Sequence, residues 1–505
     1  MYTFEHIRRD PSLRPPSPVG FGGLVQDDGL KTMSKFYITT TLPYVNADPH
    51  IGFALEIIQA DAIARYRRKS GDDVFFNTGT DEHGLKIYQK ALEEKKDPQA
   101  YADEYAPKFD NLKQALDLSY DAFIRTTDKD HKKAAQEFWK LCEKNGDIYK
   151  KNYKVKYCVG CELEKTDSEL VDGKCSLHPD AEIEIIEEEN YFFKFSKYQK
   201  PLLDLYKKNS EFVVPKWRLK EITNFVKSGL EDFSISRLKE KMPWGISVPR
   251  DKDHVMYVWF DALINYISTL NWPKDAKKFK QFWPGMQIAG KDNIRQQSAM
   301  WQAMLMSAGL ANSKQILIHG FITSGNQKMS KSVGNVIDPI KMVETYGTDA
   351  LRYYLLAEIP PFEDGDFTIE KFEQRYNGDL ANGLGNVVSR VSNLLEQSDI
   401  SVNIKIGTDK KLKKEIDSKM SKFEFNDALE SLWKVLHESD EKLAQTKPWE
   451  IDDKKKKKKI LEPIAQDILN VADLLEPFLP ETSELVIKQF SSGHIKKNKA
   501  LFPRK

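Results

Sequence analysis

Hydrophobic and polar positions follow two rhythms along this chain, and the change from one to the other divides it. From Lys35 the run Phe36-Tyr37-Ile38-Thr39-Thr40 predicts a strand, a turn rich in Pro, Asn, Asp and Gly follows, and helical spacing runs from Phe53 to Arg68. A second strand is predicted at Val74-Phe75-Phe76. Strand, crossover helix and strand in such close succession make a parallel α/β unit. The alternation returns after residue 245, with strands predicted at Val255 to Trp259, Gln287 to Ala289 and Ile316 to His319. Beyond residue 370 the strand signals stop, and Leu380, Leu384, Val387, Val388, Val391 and Leu394 fall on one stripe of a helix. The chain therefore reads as α/β, followed by an all-helical domain.

At 505 residues the chain exceeds what one hydrophobic core supports, so several domains are expected. Residues 1–34 hold four prolines, then glycines, with no apolar rhythm; they read as a disordered leader, with Met33 a candidate natural start. Lys and Arg number 77 against 76 Asp and Glu, which excludes a uniformly basic nucleic-acid binder and leaves any RNA contact to a local patch. The run Lys454 to Lys459 reads as a solvated turn between helices in preference to an RNA contact. Neither a membrane-spanning apolar run nor a secretory signal is present, so a cytoplasmic protein is expected.

Four cysteines are too few for a disulfide framework, and three of them cluster. Cys158-x2-Cys161 followed by Cys175-x2-His178 is the ligand set of a tetrahedral zinc knuckle, with Gly160, Gly173 and Pro179 as turn formers around it. All four positions are filled, so one structural Zn2+ is expected, with Cys142 left to the core.

Two further segments suit phosphate chemistry. Pro43-Tyr44-Val45-Asn46-Ala47-Asp48-Pro49-His50-Ile51-Gly52 ends a strand and opens a helix, whose N-terminus and histidine can face phosphate oxygens. Far downstream, Lys328-Met329-Ser330-Lys331-Ser332 follows a Gly-containing turn, and its two lysines suit a reaction that accumulates negative charge on phosphate. The pair resembles the HIGH and KMSKS signatures of the class I aminoacyl-tRNA synthetases. Gly79-Thr80-Asp81-Glu82-His83-Gly84, Gly229 to Arg237 and Val258-Trp259-Phe260-Asp261-Ala262 resemble the methionyl branch, and the likeness covers nearly everything from residue 35 to 450.

That resemblance implies a Rossmann-like parallel sheet, an inserted zinc-knuckle domain and an all-α anticodon-binding bundle. The divisions expected are 35–145 and 226–335 for the two catalytic halves, 146–225 for the insertion, 336–372 for a linking segment and 373–505 for the helical domain. It implies ATP-dependent activation of L-methionine to methionyl-adenylate and transfer to the terminal ribose of tRNA(Met), with Mg2+ accompanying ATP. His50, Lys328 and Lys331 would be catalytic, with Pro49, Gly52 and Ser330 also at ATP. Leu42, Tyr44, Trp259, Ala262, Tyr266 and Gln297 would form the thioether pocket, and Asp61 would hold the ammonium group. Aromatic walls suit a thioether, which offers dispersion and weak acceptor contacts only.

Asn382, Asn386 and Arg390, four residues apart, together with Trp449 match the positions that such enzymes use to read the anticodon. A monomer is expected, because no appended carboxy-terminal RNA-binding domain of the kind some relatives use to dimerise is evident. Three positions depart from the family pattern. Phe53 replaces the second histidine of the HIGH signature, which removes a phosphate-side donor; Gln297 replaces a histidine beside the pocket; and Asn293 stands where an apolar residue is usual. A non-catalytic tRNA-binding paralogue is the rival reading, which the intact lysine motif opposes.

Overall fold

The protein is described by a computed structural model that covers residues 33–160, 163–165, 170–329 and 335–505. The predicted leader up to residue 32, Cys161, Ser330 and Lys331 lie outside the described residues.

The first strand, β1 (Lys35–Thr39), is buried on both faces from Phe36 onward, as the unbroken apolar run requires of an inner strand. It lies between β2 (Asp73–Thr80) and a later strand Met286–Gly290, with Ile38 opposite Phe76 and Met286. With β3 (Ala122–Arg125), β4 (Val213–Val214), β5 (Met286–Gly290) and β6 (Gln315–His319), these make a parallel sheet in the order β3-β2-β1-β5-β6-β4. The order reverses between β1 and β5. A crevice opens outside the carboxyl ends of the strands at such a switch point.

The β1–β2 crossover is the helix α1 (Ile51–Lys69), every residue of which from Phe53 to Ala64 is buried. Between β3 and the later strands a long antiparallel pair, Ile148–Cys158 with Ile183–Phe193, stays in register from Ile148 opposite Phe193 to Cys158 opposite Ile183. Its tip carries the cysteine cluster. After the short strand Gly365–Phe367 the described chain is helical, with long helices at Asn386–Gln397, Phe425–Thr446, Lys454–Leu475 and Pro480–Phe490.

Two local expectations fail. Val255 to Trp259 is not one strand: His254–Met256 pairs with Ser236–Leu238, and Val258–Ala262 is a short helix. The side chain of Asp261 is clamped by two histidines, and that tertiary constraint overrides the β-propensity of the run. The lysine run is not a turn either; it opens the helix Lys454–Leu475, because Asp453 caps it by accepting from the N–H groups of Lys455 at 2.8 Å and Lys456 at 3.1 Å.

Asp61, in the middle of α1, is fully buried and committed to structure. One oxygen meets Arg65 Nε at 2.8 Å and Arg352 at 2.8 Å, and the other accepts from the N–H and hydroxyl of Ser119 at 2.7 and 2.6 Å. Arg352 donates onward to the carbonyls of Phe478 at 2.8 Å, Pro477 at 3.2 Å and Leu116 at 3.0 Å. The ammonium role implied for Asp61 is therefore corrected: its oxygens join α1 to the helical region, with none directed to a ligand. Burial by itself would raise this carboxyl, but Arg352, Arg65 and Ser119 outweigh it and hold it below the ordinary range.

Since the folded-state value is depressed, the stabilisation is present above the unfolded value of about 3.9 and is lost as pH falls below it. Asp61→Asn leaves Arg352 without its buried partner and should lower stability by about 3–5 kcal/mol while flattening the acid limb of the stability profile. Urea titrations between pH 3 and 7 check this; an unchanged midpoint combined with a raised methionine KM would restore the ligand role.

Candidate active site and metal centre

α1 begins at the crevice. His50 is its N-cap, and His50 Nδ1 accepts from the N–H of Gly52 at 3.1 Å, so the neutral ring carries its hydrogen on Nε2. A Cβ at Gly52 would lie 2.9 Å from the His50 ring, so a larger residue here would displace the imidazole from this bond. The N–H of Ile51 donates to Ile337 at 3.0 Å, which ties this turn to the chain just beyond the lysine motif. Glu56, one turn on, accepts from the N–H and hydroxyl of Thr41 at 2.7 and 2.6 Å and pairs with His319 Nε2 at 2.9 Å. The helix start is thus fixed to the ends of β1 and β6.

A cavity of about 400 Å³ lies between these parts, lined by Asn46, Asp48, His50, Lys90, Tyr105 and Met329 among others. Met329 directly follows Lys328, whose backbone closes the strand pair Ile322–Ser324 with Gln327–Lys328, so the two signature segments meet at one cavity. Phe53 is not at its open side. Its ring is 9% exposed and packs edge-on to Phe109 at 5.6 Å, so the substitution places an apolar ring in the core.

On the other side of the crevice, Tyr44 stands beside Asp81 in a parallel bridge, with Asp81 N–H donating to Pro43 at 2.9 Å. The Tyr44 ring meets Trp259 edge-on at 6.4 Å. Trp259 and Ala262 belong to the short helix Val258–Ala262, and that helix is held through Asp261, which pairs with His83 Nδ1 at 2.7 Å and His131 Nε2 at 2.8 Å. Burial raises the Asp261 carboxyl, yet His83 and His131 prevail and lower it to about 2. Tyr266 is buried, and its hydroxyl accepts from Gln297 Nε2 at 2.7 Å. Leu42 is half-buried, on the same turn as Tyr44. Asn293 sits half-buried in the turn Lys291–Asn293, beside Asp292.

Asp81 is a further candidate ligand residue, absent from those that the sequence motifs single out. It is a buried carboxylate one residue beyond β2, at the carboxyl end of an inner parallel strand and next to Tyr44. That position, where α/β sheets bind ligands, is the signal that could have found it.

At the tip of the antiparallel pair, ligand atoms of Cys158, Cys175 and His178 all lie within 4.8 Å of one another. Both thiols are buried, and the N–H of His178 donates to the Cys175 carbonyl at 3.1 Å. Gly160 leaves room for the imidazole, since a Cβ there would lie 2.5 Å from the His178 ring. The donor set fits a soft or borderline metal. Cys142 is fully buried away from this cluster, and burial pushes its thiol up to about 12.

In the helical region Arg390 lies over the Trp449 ring at 5.5 Å and pairs with Asp440, and the indole is 47% exposed. Asn382 is exposed and Asn386 half-buried. A wide helical stretch, Tyr376–Gly385, precedes the α-helix that starts at Asn386, so four-residue spacing does not by itself align Asn382 with the other two.

Residues 36–392 match the family model described as tRNA synthetases class I (M). The methionine–tRNA ligase of Thermotoga maritima is 40% identical over 475 residues, covering 90% of this chain and 75% of that one. The Nostoc enzyme of the same name is 38% identical and covers 92% and 91%. Among solved structures, Mycobacterium tuberculosis methionyl-tRNA synthetase in complex with methionyl-adenylate superposes with a TM-score of 0.88 at 36% identity, over 94% of this chain and 100% of that chain. Sequence, sheet order and paired signature segments agree: the chain belongs to the class I tRNA synthetases, in their methionyl branch.

Proposed function

We propose that this protein is a methionine–tRNA ligase that works as follows. The carboxylate of L-methionine attacks the α-phosphorus of ATP in line, pyrophosphate leaves, and the terminal ribose hydroxyl of tRNA(Met) then takes the methionyl group from the adenylate, releasing AMP. The observation that carries this reading is the convergence of the His50 turn and the lysine-motif flank on one cavity beside the N-terminus of α1.

The reaction calls for positioning and charge stabilisation and for no protein nucleophile. His50 Nε2–H and the helix N-terminus at Gly52 would donate to phosphate oxygens, with Pro49 shaping the turn; Lys328, Ser330 and Lys331 would cover the phosphates from the other side. Mg2+, when bound with ATP, neutralises phosphate charge. Leu42, Tyr44, Trp259, Ala262, Tyr266 and Gln297 would enclose the methionine side chain. Asp81, in place of Asp61, would take the ammonium group, because it is the buried acid beside Tyr44.

Cys158, Cys161, Cys175 and His178 would hold one Zn2+, which organises the tip of the insertion. Asn382, Asn386, Arg390 and Trp449 would read the anticodon, where the exposed indole offers a stacking face to an unstacked base. Among the described residues no helix is long and apolar enough to cross a membrane. We read the enzyme as cytoplasmic and monomeric.

Methionine-dependent exchange of labelled pyrophosphate into ATP tests the activity directly. Exchange is expected with methionine and not with valine or leucine; no exchange with any amino acid would favour the non-catalytic rival. Purified protein should carry about one zinc per chain by elemental analysis. Cys175→Ser should lower that content, and metal-free wild type that is fully folded would contradict the assignment. Trp449→Ala should slow tRNA charging by roughly 10-fold or more while leaving exchange intact, on a stacking contribution of about 1–3 kcal/mol. Equal losses in both assays would refute the anticodon role.

A further inference from the structure

The hairpin that ends at Lys328 is too short to hold its own place. Ile322–Ser324 pairs with Gln327–Lys328 across the two-residue turn Gly325-Asn326, whose φ angles are +62° and +60°. A lone two-stranded hairpin is marginal in water. Support comes from a third strand, Gly365–Phe367, which pairs parallel to Ile322–Ser324 with Ile322 opposite Gly365 and Thr323 opposite Asp366. Across the three strands Asp366, Thr323 and Lys328 therefore lie side by side.

Two carboxylates fasten this third strand to the hairpin, one at the root and one at the tip. At the root, Asp364 accepts from the N–H of Phe321 at 2.9 Å and from Lys291 Nζ at 2.7 Å. The backbones touch here, since a Cβ at Gly320 would lie 2.1 Å from the Glu363 carbonyl oxygen. At the tip, Asp366 Oδ1 accepts from the N–H of Asn326 at 2.6 Å and from the Thr323 hydroxyl at 2.8 Å, while Oδ2 pairs with Lys371 at 3.1 Å. The second residue of a two-residue turn has no acceptor for its N–H within the hairpin, and Asp366 supplies one. Its own carbonyl accepts from the Tyr354 hydroxyl at 3.2 Å, which ties the strand to a buried tyrosine. Burial raises the Asp366 carboxyl, yet Asn326, Thr323 and Lys371 prevail and hold it below the ordinary range.

We propose that Asp366 is a positioning residue for adenylate formation, fixing through the Asn326 turn and Thr323 the strand that delivers Lys328 to the phosphates. The inference rests on the reading that Lys328 covers the phosphates of ATP. A lysine there acts as charge accumulates on phosphate, so its placement is felt in kcat. A displacement of about 1 Å at such a group can cost on the order of 10²-fold in rate. Methionine is held on the other side of the crevice, and its KM should not respond. The chemistry of the side chain sets an order among variants. Asparagine keeps an oxygen for the turn and loses the charge toward Lys371, whereas alanine loses all three bonds.

The test measures kcat and both KM values in methionine-dependent pyrophosphate exchange, using wild type, Asp366→Ala, Asp366→Asn, Lys328→Ala and the double variant Asp366→Ala/Lys328→Ala. Asp366→Ala should lower kcat by about 10- to 100-fold with methionine KM unchanged, and Asp366→Asn should recover most of the loss. In the Lys328→Ala background the same aspartate change should cost little more, because two residues that act through one another are not additive. Full additivity in the double variant, a wild-type kcat in Asp366→Ala, or a matching rise in methionine KM would overturn the proposal and leave the assigned activity standing. A Lys328→Ala variant with wild-type kcat would overturn the role of Lys328 and this inference with it, and wild type without exchange would overturn the activity itself. Thermal melts identify an Asp366→Ala protein that fails to fold. Thr323→Val, which removes one of the two tip bonds and keeps a β-branched residue in the strand, then decides: a smaller loss confined to kcat supports the proposal, and none contradicts it.

Discussion

A buried carboxylate is costly unless it is paired, and α1 carries two, Glu56 and Asp61, in its buried first half. Both carboxylates are met in full: Glu56 by Thr41 and His319, Asp61 by Arg65, Ser119 and Arg352. These bonds fix the axial position and rotation of α1 against the sheet, and so fix where its N-terminus and His50 emerge. Burial disfavours protonation of His319, but the Glu56 carboxylate prevails and raises it above its ordinary value. The remaining geometry at the crevice is built outward from this helix.

Support for the amino-acid side comes from a second set of buried polar bonds. Asp261 between His83 and His131 holds the helix of Trp259 to the loop after β2, which also carries Asp81. Gln297, itself held by Gln287, donates to the Tyr266 hydroxyl. In both cases the residue that would touch substrate is aromatic, while its orientation is set by fully connected polar groups below it. Such networks specify one arrangement because each broken member leaves a buried group unsatisfied.

Much of this was legible from residue pattern. The buried run Phe36 to Thr39 and the helical spacing from Phe53 mark β1 and α1, and the two signature segments do converge on one cavity. The cysteine spacing anticipated the cluster of Cys158, Cys175 and His178. What failed depended on three-dimensional partners. Asp61 has the burial of a ligand residue, but only the fold reveals Arg352, distant in sequence, on its oxygen. Phe53 was placed by a motif position, whereas its ring is placed by Phe109. The lysine run read as a solvated turn, yet one capping aspartate and a buried face from Leu461 to Leu475 make it the start of a helix.

In the proposed reaction ATP and methionine meet at the N-terminus of α1, between the His50 turn and the Trp259 helix. A crystal structure of the protein with methionine and a non-hydrolysable ATP analogue measures this directly. Phosphate oxygens are expected within hydrogen-bonding reach of His50 Nε2 and the α1 N-terminus, and the thioether against Trp259 and Tyr266. Nucleotide bound away from the carboxyl ends of β1 and β5, or a methionine ammonium group on Asp61, would contradict it.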